Sequence, residues 1–547
     1  MSMLAFVVAL QVAQTPQPSS PLPGTAVLRG HVFAADTGQP LRKAQVRLAA
    51  NEIRENRTTT TDENGVYEFK EVRAGRYTVS ASKGSYVPVS YGQERGTDAP
   101  KPLDILDNQL VERVDFSLPR GSVIRGRVVD EYGEPAPEVQ IAVERYQFIR
   151  GQRRLGPAGR MVTTNDIGEF RLFGIAPGQY YLSATWRNPN GIAPAENPND
   201  RTAYAPLYFP GTVNVNEAQR VTLMAGQELS DVVFVLKPIK AARVSGTVLG
   251  ADGKPMTPGT VIVAQTNAGF GMSMAGMTQI RPDGSFIVTG LAPGTYMLRT
   301  QRMGPPGEGP ETGMATVTIT GDDVPNVVMI AAKPSILTGR IVVDPSALAS
   351  LPPVLMIGVQ PAEFIGIPAP PPPPARVADD FTFETKSPPG RMRVTLGGMG
   401  PPPAGWAVRA VRVNGVDVTD AGIEIQPAED VTGVELELTN KLTVVSGVVT
   451  NSRGEPAKDY TAIVFSQDTA KWTGATRYQA TGRPDQEGRF KISAVPPGEY
   501  YVAAVDRVEP GQWTDPDFLE TIRASATSIS LDEGETKTLA LRLNTIR

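Results

Sequence analysis

A short alternating apolar strand broken by a glycine opens five segments of this chain, and a chain built that way does not fold around one core. The pattern reads Leu28-Arg29-Gly30-His31-Val32, Ile124-Arg125-Gly126-Arg127-Val128 and Val244-Ser245-Gly246-Thr247-Val248. It returns as Leu337-Thr338-Gly339-Arg340-Ile341 and Val445-Ser446-Gly447-Val448-Val449. Repetition of this kind marks successive copies of one structural unit. The glycines at positions 30, 126, 246, 339 and 447 are each separated by about the length of one small domain.

Other signals follow in fixed order. A Gly-x-Pro turn comes next at Gly38-Gln39-Pro40, Gly133-Glu134-Pro135, Gly253-Lys254-Pro255 and Gly454-Glu455-Pro456. Glycine takes the positive φ of a tight turn and proline fixes the exit. A hairpin signal ending in an aromatic follows at Asp62 to Tyr67, Asp166 to Phe170, Asp283 to Phe286 and Asp485 to Phe490. Then comes Gly-x-Tyr, at Gly75-Arg76-Tyr77, Gly178-Gln179-Tyr180, Gly294-Thr295-Tyr296 and Gly498-Glu499-Tyr500. Apolar residues at every second position after each tyrosine predict a half-buried strand with the ring in the core. Two short strands around a polar turn close each unit, as at Val221 to Leu223 with Val232 to Leu236. The fourth unit is degenerate. It has Asp344-Pro345 for the first turn, Asp380-Phe381 without a glycine, and Gly390-Arg391-Met392 for Gly-x-Tyr.

Short strands with frequent turn signals predict an all-β protein of five tandem Greek-key-like β-sandwich domains, transthyretin-like or Ig-like, in an elongated arrangement. The expected limits are 1–24 for a signal peptide and linker, then 25–121, 122–241, 242–335, 336–442 and 443–547 for the repeats. The 54 glycines and 50 prolines fit many turns and short strands.

The amino terminus carries an apolar run, Leu4 to Ala13, of signal-peptide length and too short to span a bilayer. Export is expected, with an apolar tail as the alternative. Destinations are extracellular, periplasmic or cell-surface, and no transmembrane segment is expected.

Composition removes most chemistry. There is no cysteine and one histidine, His31. Two-histidine and cysteine zinc sites and a cysteine nucleophile are excluded, and any Ser-His-Asp triad has to use His31. That residue sits in the first opening strand and reads as a strand-surface residue. No EF-hand-like spacing of acids is present. The expectation is no catalytic residue, no metal site, no cofactor and no enzyme. With a net charge of −4, nothing points to nucleic acid.

These motifs together resemble the carboxypeptidase-regulatory-like family and its transthyretin-like sandwich. The residues that carry the resemblance are the Gly-x-Val opening, the Gly-x-Pro turn, the Asp-x-Gly-x-Phe hairpin and the Pro-Gly-x-Tyr strand, as at Pro177 to Tyr180 and Pro497 to Tyr500. The resemblance implies a non-catalytic module of secreted and surface proteins. It implies an adhesive or structural scaffold, with a carbohydrate-binding protein using aromatic loop residues as the alternative. Expected partners are polysaccharide or other cell-surface proteins.

Loops at the ends of such sandwiches carry function. The candidate ligand-binding residues are Trp472, Tyr478 and Trp513 in the fifth unit, and Tyr204 and Tyr208 in the Pro- and Asn-rich stretch Arg187 to Gly211. Aromatic faces stack on sugar rings or anchor protein interfaces. The preferred reading is plainer: the rings cover loop backbone or pack on a neighbouring domain. Five arginines between Arg145 and Arg160 suggest contact with acidic polysaccharide or lipid head groups, with a solvated loop as the preferred alternative.

Overall fold

The computed structural model describes residues 24–546 except 51–52, 54, 94–97, 150, 187–201, 267–272, 304–308, 363–371, 399, 401 and 474–475. The signal-peptide expectation lies outside the described residues. Among those described, no helix is long and apolar enough to cross a membrane.

Each unit is two facing layers of strands built to one plan, which the second unit illustrates; in the fifth the layers are joined where Gly498–Val505 pairs with Thr536–Asn544. Its opening strand, Ser122–Val129, lies between Glu169–Ile175, antiparallel to it, and Glu228–Val235, parallel to it. In the facing sheet Gln152–Thr163, Val139–Ile149, Gly178–Trp186 and Leu207–Tyr208 run in that order, and Val221–Leu223 also pairs with Gly178–Trp186. The two closing strands, expected around one turn, therefore sit in opposite sheets. The parallel pairing of opening and last strand recurs as Ala26–Ala34 with Phe116–Leu118, Ala242–Leu249 with Val324–Ile330, Ser335–Val343 with Val431–Thr439 and Val444–Thr450 with Thr536–Asn544. Apolar side chains alternate into the space between the sheets. Each unit has its own buried cluster, centred on residues such as Leu48, Leu182, Leu298, Ile357 and Val502.

The parallel pairing accounts for the glycine in every opening strand. A Cβ on Gly246 would lie 1.9 Å from the carbonyl oxygen of Val327, and one on Gly447 would lie 2.0 Å from that of Leu539. Gly30, Gly126 and Gly339 are pressed in the same way onto Val114, Val232 and Val434. The bare backbone also gives room to an aromatic ring. Phe170, Phe286, Phe383 and Phe490 lie over Gly126, Gly246, Gly339 and Gly447. The hairpin aromatic and the opening glycine, far apart in sequence, are one packing device.

The Gly-x-Tyr tyrosines are buried, and each hydroxyl donates to the carbonyl four residues back. Tyr77 reaches Arg73 at 2.9 Å, Tyr180 Ala176 at 2.7 Å, Tyr296 Ala292 at 2.8 Å and Tyr500 Pro496 at 2.7 Å. This bond pins the entry of the strand and satisfies the buried hydroxyl. The turn prolines form isolated bridges to the ends of the opening strands, as Pro135 does with Val129. In the second unit the hairpin turn is closed by Asn165, not Asp166. Its side chain accepts from the Glu169 amide at 2.7 Å.

The degenerate fourth unit keeps the plan under strain. Phe381 stands where the other hairpins place glycine. It takes φ 67° and its carbonyl accepts from the Ile341 amide, as Gly168 does from Val128. Its side chain is exposed. Left-handed backbone costs a residue with a Cβ about 1–2 kcal/mol. Phe381→Gly is therefore expected to stabilise the fourth domain by about 1 kcal/mol, read as a higher midpoint in its denaturant transition.

The fifth unit carries an addition. The helix Pro516–Arg523, capped by Asp515, lays Phe518, Leu519 and Ile522 on Ile463, Phe465, Ala503 and Val505. Strand Thr461–Ser466 is consequently buried on both faces, which matches its unbroken apolar run.

Connections between units are short: Leu118 to Ser122, Ile330 to Ser335 and Thr439 to Val444. The fifth unit also touches units distant in sequence. Lys101 pairs with Asp459 at 3.0 Å, and Gln486 donates to the Asp104 carbonyl at 2.8 Å. The Gly151 amide donates to Thr514 Oγ1 at 2.8 Å. These first-to-fifth and second-to-fifth contacts come on top of the end-to-end order expected from sequence.

Candidate functional site

The five aromatic candidates have different fates. Trp472 is 6% exposed, packs edge-on to Phe465 at 5.6 Å and donates its Nε1–H to the Ser466 carbonyl at 2.7 Å. It is a core residue of the added helix layer, with no free face for a ligand. Trp513 is half-buried against the same layer, in the turn that meets the second unit. Tyr478 belongs to the joint between fourth and fifth units. Its hydroxyl donates to Asp420 Oδ2 at 2.8 Å, beside Arg477, which holds Asp420 Oδ1 at 3.0 Å and the carbonyls of Val408 and Arg409. Tyr204 stands edge-on to Trp186 at 5.7 Å and donates to Glu131 at 2.9 Å. The rings of these four pack on core residues or at the joint with a neighbouring unit.

Tyr208 is different. It lies on the outer face of the second unit's larger sheet, in register with Ser183. Strand alternation sends Val143, Leu182 and Ala184 into the core and Glu144, Tyr146, Tyr181 and Ser183 outward. Tyr146 and Tyr181 meet edge to face at 5.8 Å, and the Arg153 guanidinium lies 4.5 Å from the Tyr146 ring centre. Ser183 donates to Glu144 Oε1 at 2.6 Å. Three half-buried tyrosines thus surround one carboxyl with a hydroxyl donor and an arginine beside it.

Burial raises Glu144 above the ordinary carboxylate range, and the Ser183 bond only partly opposes this. Burial, with the nearby Glu144 charge, pushes Tyr208 up to about 12. The Glu144 proton is bound more tightly in the folded than in the unfolded chain. Its ionisation therefore subtracts stability as pH rises from the ordinary carboxylate value through the folded one. Glu144→Gln is expected to raise the melting temperature of the second domain at neutral pH. The gain should vanish in acid, where Glu144 is protonated in both states; a gain of equal size at both pH values would refute the burial argument.

Tyr208 is the one sequence candidate in this group; Glu144, Tyr146 and Tyr181 are not among the candidates, because they sit in strands and not in the loops at the ends of the sandwich. Period 2 held the signal: Glu144, Tyr146 and Phe148 alternate with the core residues Ile141 and Val143.

His31 is half-exposed on its strand, stacked on Phe33 at 5.6 Å and 3.3 Å from Asp115. An open groove of about 740 Å³ on the fourth unit, lined by Arg340, Arg376, Phe383, Glu384 and Glu435, is internally paired through Arg340 and Glu435.

Residues 27–116 match the family model described as carboxypeptidase regulatory-like domain. Among solved structures the chain is similar to a streptococcal ancillary pilin, at 17% identity over 56% of this chain and 99% of that one, with a TM-score of 0.20. It is similar to two B repeat units of the collagen binding protein of Staphylococcus aureus, at 11% identity over 76% and 99%, TM-score 0.12. It is also similar to the major pilin subunit of Bacillus cereus, at 10% identity over 77% and 99%, TM-score 0.14. No curated protein matches the chain.

Proposed function

We propose, from a first domain of the carboxypeptidase regulatory-like family followed by four units of the same strand plan, that the chain is a non-catalytic secreted or cell-surface scaffold with an adhesive or structural role. The observation that carries this reading is where the recurring residues go. The opening glycines, hairpin aromatics and corner tyrosines are all used in packing, so what recurs is architecture and not a reaction centre. Short connections and the bonds from the fifth unit to the first, second and fourth hold the units in set positions, which suits presentation of surfaces to a partner. The domain limits taken with this reading are those near 25–121, 122–241, 242–335, 336–442 and 443–547.

A second reading, carbohydrate binding, is favoured by one feature. Tyr146, Tyr181 and Tyr208 gather around Glu144 beside Arg153, a mixture of aromatic and hydrogen-bonding groups that suits a sugar. A glycan array and polysaccharide pull-down with the chain from residue 24, alongside Tyr146→Ala/Tyr208→Ala, decides between the two. Saturable binding to one neutral glycan class, lost in the variant with melting unchanged, promotes the second reading. Capture of cell-surface proteins with no glycan binding keeps the first. Turnover of any glycan or peptide would overturn both.

A further inference from the structure

The second domain carries an unusual charge arrangement on its other sheet, facing away from the tyrosine patch. Arg125 on Ser122–Val129 stands directly opposite Arg171 on Glu169–Ile175 in an antiparallel pair. Both point outward, because their neighbours Ile124 and Leu172 are core residues. Like charges placed directly across a ladder destabilise the sheet. Arg160, from the adjoining strand Gln152–Thr163, adds a third cation. Its guanidinium lies 5.1 Å from the Phe173 ring centre and that of Arg171 lies 5.6 Å from it. Phe173 is 38% exposed. Arg127, exposed on the same face, is the fourth. Three carboxylates share the surface: Glu228, paired with Arg125, Glu169, opposite Arg127, and Asp231, exposed on the strand Glu228–Val235. Four arginines against three carboxylates leave one positive charge in excess, on a chain whose net charge is −4, and Arg160 and Arg171 gather it at Phe173.

We infer that this face is a docking surface for an acidic polysaccharide, a linear chain bearing a carboxylate on its sugar rings. Charge complementarity selects an anion. The guanidinium fork matches a planar carboxylate with two parallel hydrogen bonds, and Arg125 already meets the Glu228 carboxylate through Nε. Cation–π attraction to the Phe173 ring holds two of the guanidiniums in place. The surface is a sheet face and not an enclosure, so a small anion gains little. A polymer gains by meeting Arg160, Arg171, Arg125 and Arg127 in one pass. Arg125 and Arg171 stand on strands about 4.8 Å apart, a span comparable with one sugar ring. The one exposed ring at the centre is already engaged by two guanidiniums, which leaves a nucleic-acid base no open stacking platform.

The experiment is binding of the whole chain to immobilised polygalacturonate, with neutral dextran and anionic phosphatidylserine vesicles alongside. Expected is binding to polygalacturonate that weakens as salt is raised, with none to dextran. Arg160→Gln/Arg171→Gln should weaken it about tenfold or more, since charge-assisted bonds are lost. The same variant should melt no lower than wild type, because it relieves the Arg125–Arg171 repulsion. Arg453→Gln, at an exposed arginine of the fifth domain, should bind as wild type does. Absence of polygalacturonate binding at low salt, undiminished binding by the double variant, or binding to the vesicles alone would each overturn the inference. Tyr146→Ala should leave this binding intact, so its fate is separable from that of the tyrosine patch.

Discussion

Tyr296→Ala is expected to destabilise the third domain by about 3–5 kcal/mol, the range for truncating a large buried ring, and to melt that domain alone. The ring is buried among Val244, Val261, Val263, Phe286, Leu298 and Val317, and that cluster draws on no other domain. Its hydroxyl holds the Ala292 carbonyl at 2.8 Å, where the chain enters the strand Gly294–Arg302. Alanine removes the ring and frees the corner together. Tyr296→Phe separates the two effects, because it keeps the ring and loses the bond, for about 1 kcal/mol. Calorimetry of the full chain should show one transition moving down while the rest stay in place. One cooperative transition shifting as a whole would refute separate cores.

Gly447→Val is expected to unfold the fifth domain or cost it about 3 kcal/mol or more, beyond ordinary overpacking. The new Cβ would sit 2.0 Å from the Leu539 carbonyl oxygen and 3.0 Å from the Phe490 ring. Only separation of Val444–Thr450 from Thr536–Asn544 relieves that, and this parallel pair closes the domain. Gly454→Ala is the control. Gly454 has φ 81° with open space around a Cβ, so alanine there costs only left-handed strain, about 1 kcal/mol. Loss of the fifth domain also releases Lys101 from Asp459, Gly151 from Thr514 and Asp420 from Arg477. Limited proteolysis should then begin within 443–547, and the radius of gyration from small-angle scattering should grow. A Gly447→Val chain that is as compact and resistant as wild type would show that the parallel approach is not tight.

The motifs legible in the sequence were those whose cause is local. Gly38, Gly65 and their counterparts mark turns because left-handed backbone is a property of one residue and its neighbours. The buried tyrosines were legible because alternation after Tyr77 or Tyr500 reports the sheet face directly. Tandem β-sandwich units followed from the recurrence. The reason for the opening glycines was not legible, since the carbonyl that excludes a side chain from Gly246 comes from Val327, on the far side of the domain. Trp472 looked like a loop aromatic because its covering, the helix Pro516–Arg523, lies far along the chain.

By itself the sequence determined the fold class, the number of units and the chemistry excluded by a lone histidine and absent cysteines, because periodicity, turn stereochemistry and composition act within a few residues. Only tertiary structure decided which side chains share a surface. It gathered Glu144, Tyr146, Tyr181 and Tyr208 from three strands onto one sheet face, and brought Arg160, from the edge strand of that sheet, to Arg171 and Arg125 on the facing one. It also set the fifth domain against the first and second. Those neighbourhoods depend on strand order and register between segments tens to hundreds of residues apart, and no local pattern encodes that pairing.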